Sequence, residues 1–242
     1  MRQLSGELLL TALDYGAEDT YLGRILTMLA IAQPELPREK IAALSMQEIT
    51  LQLLTIHTLN FGPQLEGFLG CPSCSARLEF TLPIAPVIER LRQSASSANT
   101  FSTIGETGFT MRLATPYDLL SIENITDMAK ARQHLLARCL GETQNVTLDS
   151  ALNDPEFCQL AIETFDQLQS DAEIDVELVC AECNQSHLVG LDLGRFLWTE
   201  IRSAAMQLMR DVHDLASAYG WQESAILAMS GIRRQTYLEM IQ

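Results

Sequence analysis

Apolar residues recur along this chain at two different intervals, and the change of interval divides it. From Leu8 to Leu59 the interval is three or four, as one face of a helix requires. Leu8, Leu9, Ala12 and Leu13 form a first group, Leu22, Ile25, Leu26 and Leu29 a second, and Ile49, Leu53, Ile56 and Leu59 a third. Gly16, then Pro34 and Pro37, then Asn60-Phe61-Gly62-Pro63 punctuate the groups. Asp19 and Thr20 can cap the second helix. Ser45-Met46-Gln47-Glu48 has the form of a capping box, with Ser45 accepting from the amide three residues on and Glu48 reaching back.

Beyond residue 64 the interval alternates between two and the helical value. Leu78, Phe80 and Leu82 alternate with Arg77, Glu79 and Thr81, which predicts a half-buried strand. Phe109, Met111 and Leu113 predict another. Ile174, Val176 and Leu178 predict a third, and Leu188, Val189, Leu191 and Leu193 a fourth. Between them, 83–92 reads as a short helix with Val87, Ile88 and Leu91 on one face, and the Ser/Ala/Asn/Thr-rich stretch 93–103 as a loop. Thr115-Pro116-Tyr117-Asp118 opens a helix with a cap, a proline at the first position and an acid at the positive end of the dipole. Asn124-Ile125-Thr126-Asp127 breaks it before a stretch through Leu135, Leu136 and Cys139 that ends at Gly141. Asp154-Pro155 opens a helix with Phe157, Leu160, Ala161, Phe165 and Leu168 inward. A long helix follows over 194–218, with Phe196, Leu197, Ile201, Ala204, Leu208, Val212 and Leu215 on its apolar face. After Gly220, residues 221–242 read as a terminal helical hairpin or broken helix interrupted near Ser230-Gly231.

The two alternating regions each carry a C-x-x-C: Cys71-Pro72-Ser73-Cys74 and Cys180-Ala181-Glu182-Cys183. No other internal repeat is visible. Such a turn places two thiolates on one side of a metal, and two turns approaching from opposite sides complete a tetrahedron. We therefore expect Cys71, Cys74, Cys180 and Cys183 to hold one structural zinc ion. Knuckles of this kind favour a residue tolerant of positive φ after the second cysteine, usually Gly; here Ser75 and Asn184 stand there. The 105 residues between Cys74 and Cys180 make a loop whose closure costs about 4 kcal/mol. Structural zinc binding, on the order of 10–16 kcal/mol, outweighs it. The spacing also admits two unrelated turns, a site crossed between chains, a redox dithiol, or iron in place of zinc. His187, four residues past Cys183, is an alternative ligand. Cys139 and Cys158 lie on apolar helical faces and read as core; His57, His134 and His213 have no matched cysteine or carboxylate and read as structural.

The resulting fold class is α+β, mostly α: a helical protein built around a split zinc ribbon, its two knuckles on short antiparallel strands, with a helical insertion. The segments are an N-terminal helical part (1–64), the ribbon (65–83 and 172–193), a mainly helical insertion (84–171) with a strand near 108–114, and a C-terminal long helix with a terminal hairpin (194–242).

Composition narrows the function. A hydrophobic content of 47% suits a real core. No apolar run approaches the roughly 20 residues that cross a bilayer, and the N-terminus does not read as a signal peptide, so the expected location is the cytoplasm, where reduced thiols favour metal over disulfide. A net charge of −15 opposes nucleic acid and anionic membrane surfaces and suits a soluble partner with a basic face. A four-cysteine zinc has no open position to activate water, and no G-x-S-x-G, P-loop, G-x-G-x-x-G or H-E-x-x-H occurs. The chain is therefore expected not to be an enzyme. A zinc-ribbon nucleic-acid-binding regulator is the alternative, disfavoured by the charge.

Several stretches, in order, carry a resemblance: 59–65 (Leu-Asn-Phe-Gly-Pro-Gln-Leu), the first knuckle through Glu79, 111–120, 135–140 and 191–198. The last two are His213-Asp214-Leu215-Ala216-Ser217-Ala218-Tyr219-Gly220-Trp221 and Arg233-Arg234-Gln235-Thr236-Tyr237-Leu238-Glu239. Together they resemble the baseplate hub assembly chaperone family of T-even phages, in the zinc-ribbon form found in phage-tail-like contractile injection systems. The resemblance covers nearly the whole chain, and the last two stretches are its most specific parts. Ser75 replaces the family's usual Gly, and Gln222 replaces a small capping residue. The resemblance implies a non-enzymatic role in building a baseplate or hub, with baseplate, hub or spike proteins as partners and with retention in the finished particle left open. Trp221, Ile226, Leu227, Arg233, Arg234, Tyr237 and Leu238, with Met229, would then offer a partner-binding face; the competing expectation is that this face packs on the protein's own long helix.

Overall fold

The computed structural model describes residues 1–97, 101–105, 107–141, 151–170 and 173–241. In chain order the elements are α1 (Glu7–Gly16), α2 (Tyr21–Ala32), α3 (Arg38–Ala42), α4 (Met46–Phe61), β1 (Gln64–Gly70), β2 (Arg77–Pro83), α5 (Ile84–Ser97), β3 (Phe101–Thr103), β4 (Thr110–Arg112), α6 (Pro116–Ile122), α7 (Met128–Cys139), β5 (Leu140–Gly141), α8 (Pro155–Ser170), β6 (Asp175–Val179), β7 (Ser186–Gly190), α9 (Leu193–Tyr219), α10 (Glu223–Leu227) and α11 (Gly231–Glu239). Helices dominate and every sheet is small and antiparallel, so the α+β, mostly α class holds. The chain divides into two compact units, residues 1–35 with 194–242 and residues 36–193.

In the first unit, α1 and α2 pack with the start of α9. Thr20 caps α2 by accepting from the Gly23 amide, as its sequence implies. Arg24 ties the pair: its Nε donates to the Gly16 carbonyl (2.9 Å) and its Nη2 to that of Ala17 (3.2 Å), satisfying two acceptors that a helix end leaves free. Its guanidinium also lies 5.3 Å from the centre of the Trp198 ring. That ring closes over Gly16, where a Cβ would fall 2.5 Å from the indole. Gly16→Ala gains at most about 1 kcal/mol of helix propensity but forces a rigid, buried ring to move, an overpacking cost of about 1–3 kcal/mol. We expect a lowered midpoint of thermal unfolding; a raised one would show that Trp198 yields freely.

At the other end of α9, Leu215 packs with Ile226 of α10 and Leu238 of α11, flanked by Val212, Ala216, Trp221 and Tyr237. Tyr219 stacks on Trp221 at 4.5 Å, and Tyr237 stands edge-on to Trp221 at 4.8 Å. Ser230 caps α11 by accepting from the Arg233 amide, while Gln222 makes no side-chain cap for α10.

In the second unit, α4 begins with the expected capping box of Ser45 and Glu48, and α6 with one of Thr115 and Asp118. Met111, Phe109, Leu136, Cys139, Phe157 and Ala161 share a core, with Phe109 and Phe157 edge-to-face at 5.0 Å. The stretch 93–103 does not form the expected loop. Helix α5 runs on to Ser97 and Phe101–Thr103 joins a three-stranded sheet in the order β3-β4-β5; residues 98–100 lie outside the described residues. The cause is tertiary. The buried Gln47 side chain donates to the Leu91 carbonyl (2.8 Å) and to Ser94 Oγ (2.7 Å), fastening the polar end of α5 to α4. Helix α3 and strand β5 are too short to carry a periodic signal.

The two C-x-x-C turns sit at the tips of two hairpins, β1–β2 and β6–β7. Gly70 pairs with Arg77 and Leu69 with Leu78 in the first; Val179 pairs with Ser186 and Leu178 with His187 in the second. The hairpins therefore share one register relative to their cysteines. The repeat extends beyond the knuckles into the strands, where Leu65, Leu69, Phe80 and Leu82 answer to Ile174, Leu178, Val189 and Leu191.

Candidate metal centre

Each knuckle is closed by the same backbone bonds. The Ser75 amide donates to the Cys71 carbonyl and the Cys71 amide to the Ala76 carbonyl, both at 2.8 Å. In the second knuckle the Asn184 amide donates to the Cys180 carbonyl (2.8 Å) and the Cys180 amide to the Gln185 carbonyl (2.9 Å). The turn requires positive φ after the second cysteine, and Ser75 (61°) and Asn184 (55°) adopt it. Asn carries that conformation at little cost; Ser carries it less readily, so the first knuckle is held against a small backbone preference.

The knuckles face each other. Cys71 Sγ lies 3.7 Å from Cys183 Sγ, and Cys74 Sγ lies 3.6 Å from Cys180 Sγ. All four sulfurs lie within 4.8 Å of one another, and all four cysteines are free thiols. Four sulfurs at about 2.3 Å from a tetrahedral metal are separated by about 3.8 Å. The two cross-hairpin distances match that edge, and they far exceed the roughly 2.05 Å of a disulfide. The cluster thus joins the four cysteines singled out by spacing into one site able to hold a metal ion. Cys71 and Cys180 are buried, Cys183 is half-buried and Cys74 is exposed.

The electrostatics favour a cation. Burial pushes the Cys71 thiol up, but the amides of Cys74 and Ser73 and the neighbouring thiols outweigh it and bring it down to about 6. Cys74 gains from the Ala76 amide, yet the adjoining Cys71, Cys180 and Cys183 sulfurs and burial hold it up at about 12. Cys183 is likewise raised: its bond from the Gln185 amide is outweighed by burial and by Cys180 and Cys71. One sulfur ionises easily and its neighbours then resist, as like charges at contact must. A divalent ion removes that conflict, since metal binding releases the remaining protons.

Two further side chains bridge the hairpins. Ser73 Oγ donates to Gln185 Oε1 at 2.6 Å. His187 Nε2 lies 3.5 Å from Cys71 Sγ, the sulfur of the opposite knuckle. Spacing marks His187 as an alternative ligand near its own Cys183; it lies against Cys71 instead, outside the four-sulfur cluster.

The residues considered for partner binding fall into two sets. Ile226 is fully buried and Leu238 is 8% exposed, both within the core built on α9. Trp221 and Tyr237 are half-buried around them, Leu227 and Arg234 are half-buried, and Arg233 is exposed with its guanidinium 5.8 Å from the Tyr237 ring centre. Arg234 Nη1 donates to the Met229 carbonyl (2.6 Å). The terminal exposed apolar side chains are others, Ile232 at 84%, Met240 at 66% and Ile241 at 37%. His57 is buried on α4 with Nδ1 3.2 Å from the Gly62 carbonyl. Cys139 is buried in its core, and burial raises its thiol to about 11. Cys158 donates to the Leu152 carbonyl. His134 lies on α7 and His213 on α9. No helix among the described residues is long and apolar enough to cross a membrane.

No protein-family model, curated protein or solved structure matches this chain.

Proposed function

We propose that the four sulfurs hold one structural zinc ion, making the two hairpins a split zinc ribbon, and that the protein is a non-enzymatic assembly chaperone or structural adaptor for the baseplate or hub of a phage tail or contractile injection system. The observation that carries the structural half is the closed set of four sulfurs drawn from hairpins 105 residues apart in sequence. With four thiolates bound, zinc has no place for water or substrate, and its work is to staple the ends of the insertion. The partner class rests on the resemblance of the C-terminal stretches to the hub chaperone family. A cytoplasmic protein of net charge −15 is suited to meeting basic faces of hub, spike or other baseplate subunits.

The contact surface in this reading includes the exposed parts of α10 and α11. Arg233 and Ile232 are its exposed side chains, and Trp221, Leu227, Arg234 and Tyr237, each half-buried, would contribute only their exposed edges. Ile226 and Leu238 serve from beneath by holding the two helices on α9. Co-expression with hub, spike and other baseplate proteins is the test: a stable complex is expected, and none forming with any of them, all well expressed, would remove the proposal. Two substitutions separate surface from support. Ile232→Glu, at an exposed position, should change stability by less than about 0.5 kcal/mol while weakening the complex. Ile226→Ala should cost about 2–4 kcal/mol by leaving a cavity and expose α10 and α11 to faster amide exchange. Mass spectrometry of purified particles would decide whether the protein leaves or stays.

A further inference from the structure

We infer that His187 is an outer-shell donor to the metal centre: its Nε2–H hydrogen-bonds the Cys71 thiolate across the two hairpins, without itself binding the metal. The inference rests on the metal-site reading above.

The argument starts from the repeat. The inward positions of the two hairpins match in apolar character at Leu65 and Ile174, Leu69 and Leu178, Phe80 and Val189, and Leu82 and Leu191. At one position a polar side chain breaks the match. Leu78 pairs with Leu69 in the first hairpin, and the same register position in the second, opposite Leu178, holds His187. Leu78 is 7% exposed and fills an apolar position. The imidazole there is half-buried, and its Nε2 lies within hydrogen-bond distance of the Cys71 sulfur, at 3.5 Å.

The chemistry fixes the direction of the bond. A metal-bound cysteine is a thiolate and can only accept. A ring nitrogen at that distance must therefore present its hydrogen, which places the proton on Nε2. Cys71 is 3% exposed, so water does little to solvate its charge. The Ser73 and Cys74 amides already favour its charged form, and His187 supplies a side-chain donor from the other hairpin. Four thiolates around a divalent ion leave two negative charges to disperse in a chain that is already strongly acidic, which is where such donors matter. The ring is not a fifth ligand, because it stands outside the cluster of four sulfurs. The centre is thus asymmetric: Cys71 has a side-chain donor that Cys180, its counterpart, lacks at the equivalent position.

The test uses the full chain loaded with zinc or cobalt. Long-range proton–nitrogen NMR of the zinc protein should show His187 as a single tautomer with hydrogen on Nε2 and a bare Nδ1. A signal showing Nε2 bound to metal, or a ring averaging between tautomers in solvent, overturns the inference. His187→Leu, which copies the other hairpin, should keep a tetrahedral cobalt spectrum. Its sulfur-to-metal band should move to longer wavelength, because the Cys71 thiolate becomes easier to oxidise. Metal affinity measured against a competing chelator should fall by about 10–100-fold. His187→Gln, which retains an N–H donor, should recover most of both. If Leu and Gln variants match the wild type in band position and affinity, His187 is not a donor. If the wild-type protein shows no thiolate-to-cobalt bands at all, the metal site itself fails, a result distinct from either.

Discussion

Replacing either Cys71 or Cys180 by serine is expected to abolish binding of the same single zinc ion. The two residues are the buried members of opposite knuckles, and each is within 3.7 Å of a sulfur from the other hairpin. A site shared in this way cannot survive on two ligands from one side, because a lone knuckle leaves half the tetrahedron open. Metal analysis of protein purified without added metal should give one zinc per chain for the wild type and near none for either variant. The energetic consequence is large. Structural zinc contributes on the order of 10–16 kcal/mol to small modules, and here about 4 kcal/mol of that offsets closure of the intervening loop. The apolar contacts of 36–193 remain without metal, so the variants should keep their helices while the two hairpins lose amide protection. Retention of half a metal in each variant would point to two independent sites or a site crossed between chains. A coloured protein would point to iron.

What local chemistry specifies was legible in the chain. The caps at Thr20, Ser45 and Thr115 use atoms within three residues of each other, and each forms as its sequence implies. The knuckles are equally local, and their cysteines had only to meet. Long-range polar partnerships were invisible. Gln47 offers no sign that it will hold Leu91 and Ser94, so a Ser-rich stretch that reads as loop is helical to Ser97. His187 stands four residues from Cys183, a spacing that suggests a ligand for its own knuckle. It serves the other one because the two knuckles face each other, which no single stretch of sequence encodes. Ile226 and Leu238 lie on a face that could be read as a partner surface or as core, and periodicity is the same in both cases; only the position of α9 decides that they are covered.

Asp118 supplies the second large effect, and its role also exceeds what sequence suggested. Read as a residue placed to complement a helix dipole, it is a buried hub, its side chain 1% exposed. Its carboxylate accepts from Arg112 Nη1 (2.6 Å) and Nη2 (3.1 Å), Arg138 Nε (2.9 Å), the Thr115 amide (2.9 Å) and Thr115 Oγ1 (2.8 Å). Three elements meet there: the end of β4, the start of α6 and the end of α7. Breaking one side of a buried ion pair costs about 3–5 kcal/mol. Because the arginine side chains are 29% and 41% exposed and can be partly rehydrated, Asp118→Ala should lie near the lower end, about 3 kcal/mol, or roughly 6–12 °C in melting temperature for a unit of this size. The pH dependence has a definite sign. Burial alone would raise the carboxyl, but Arg112 and the Thr115 amide and hydroxyl hold it well below the ordinary carboxylate range. A depressed folded-state value means that the contribution is complete above the unfolded value of about 3.9 and is lost as pH falls below it. Asp118→Asn keeps the shape and removes the charge, so it should be less stable than wild type at pH 7, with the gap narrowing by pH 3. Denaturant midpoints at the two pH values measure this directly. A gap unchanged with pH would mean that the aspartate acts through packing and capping and that its charge contributes nothing.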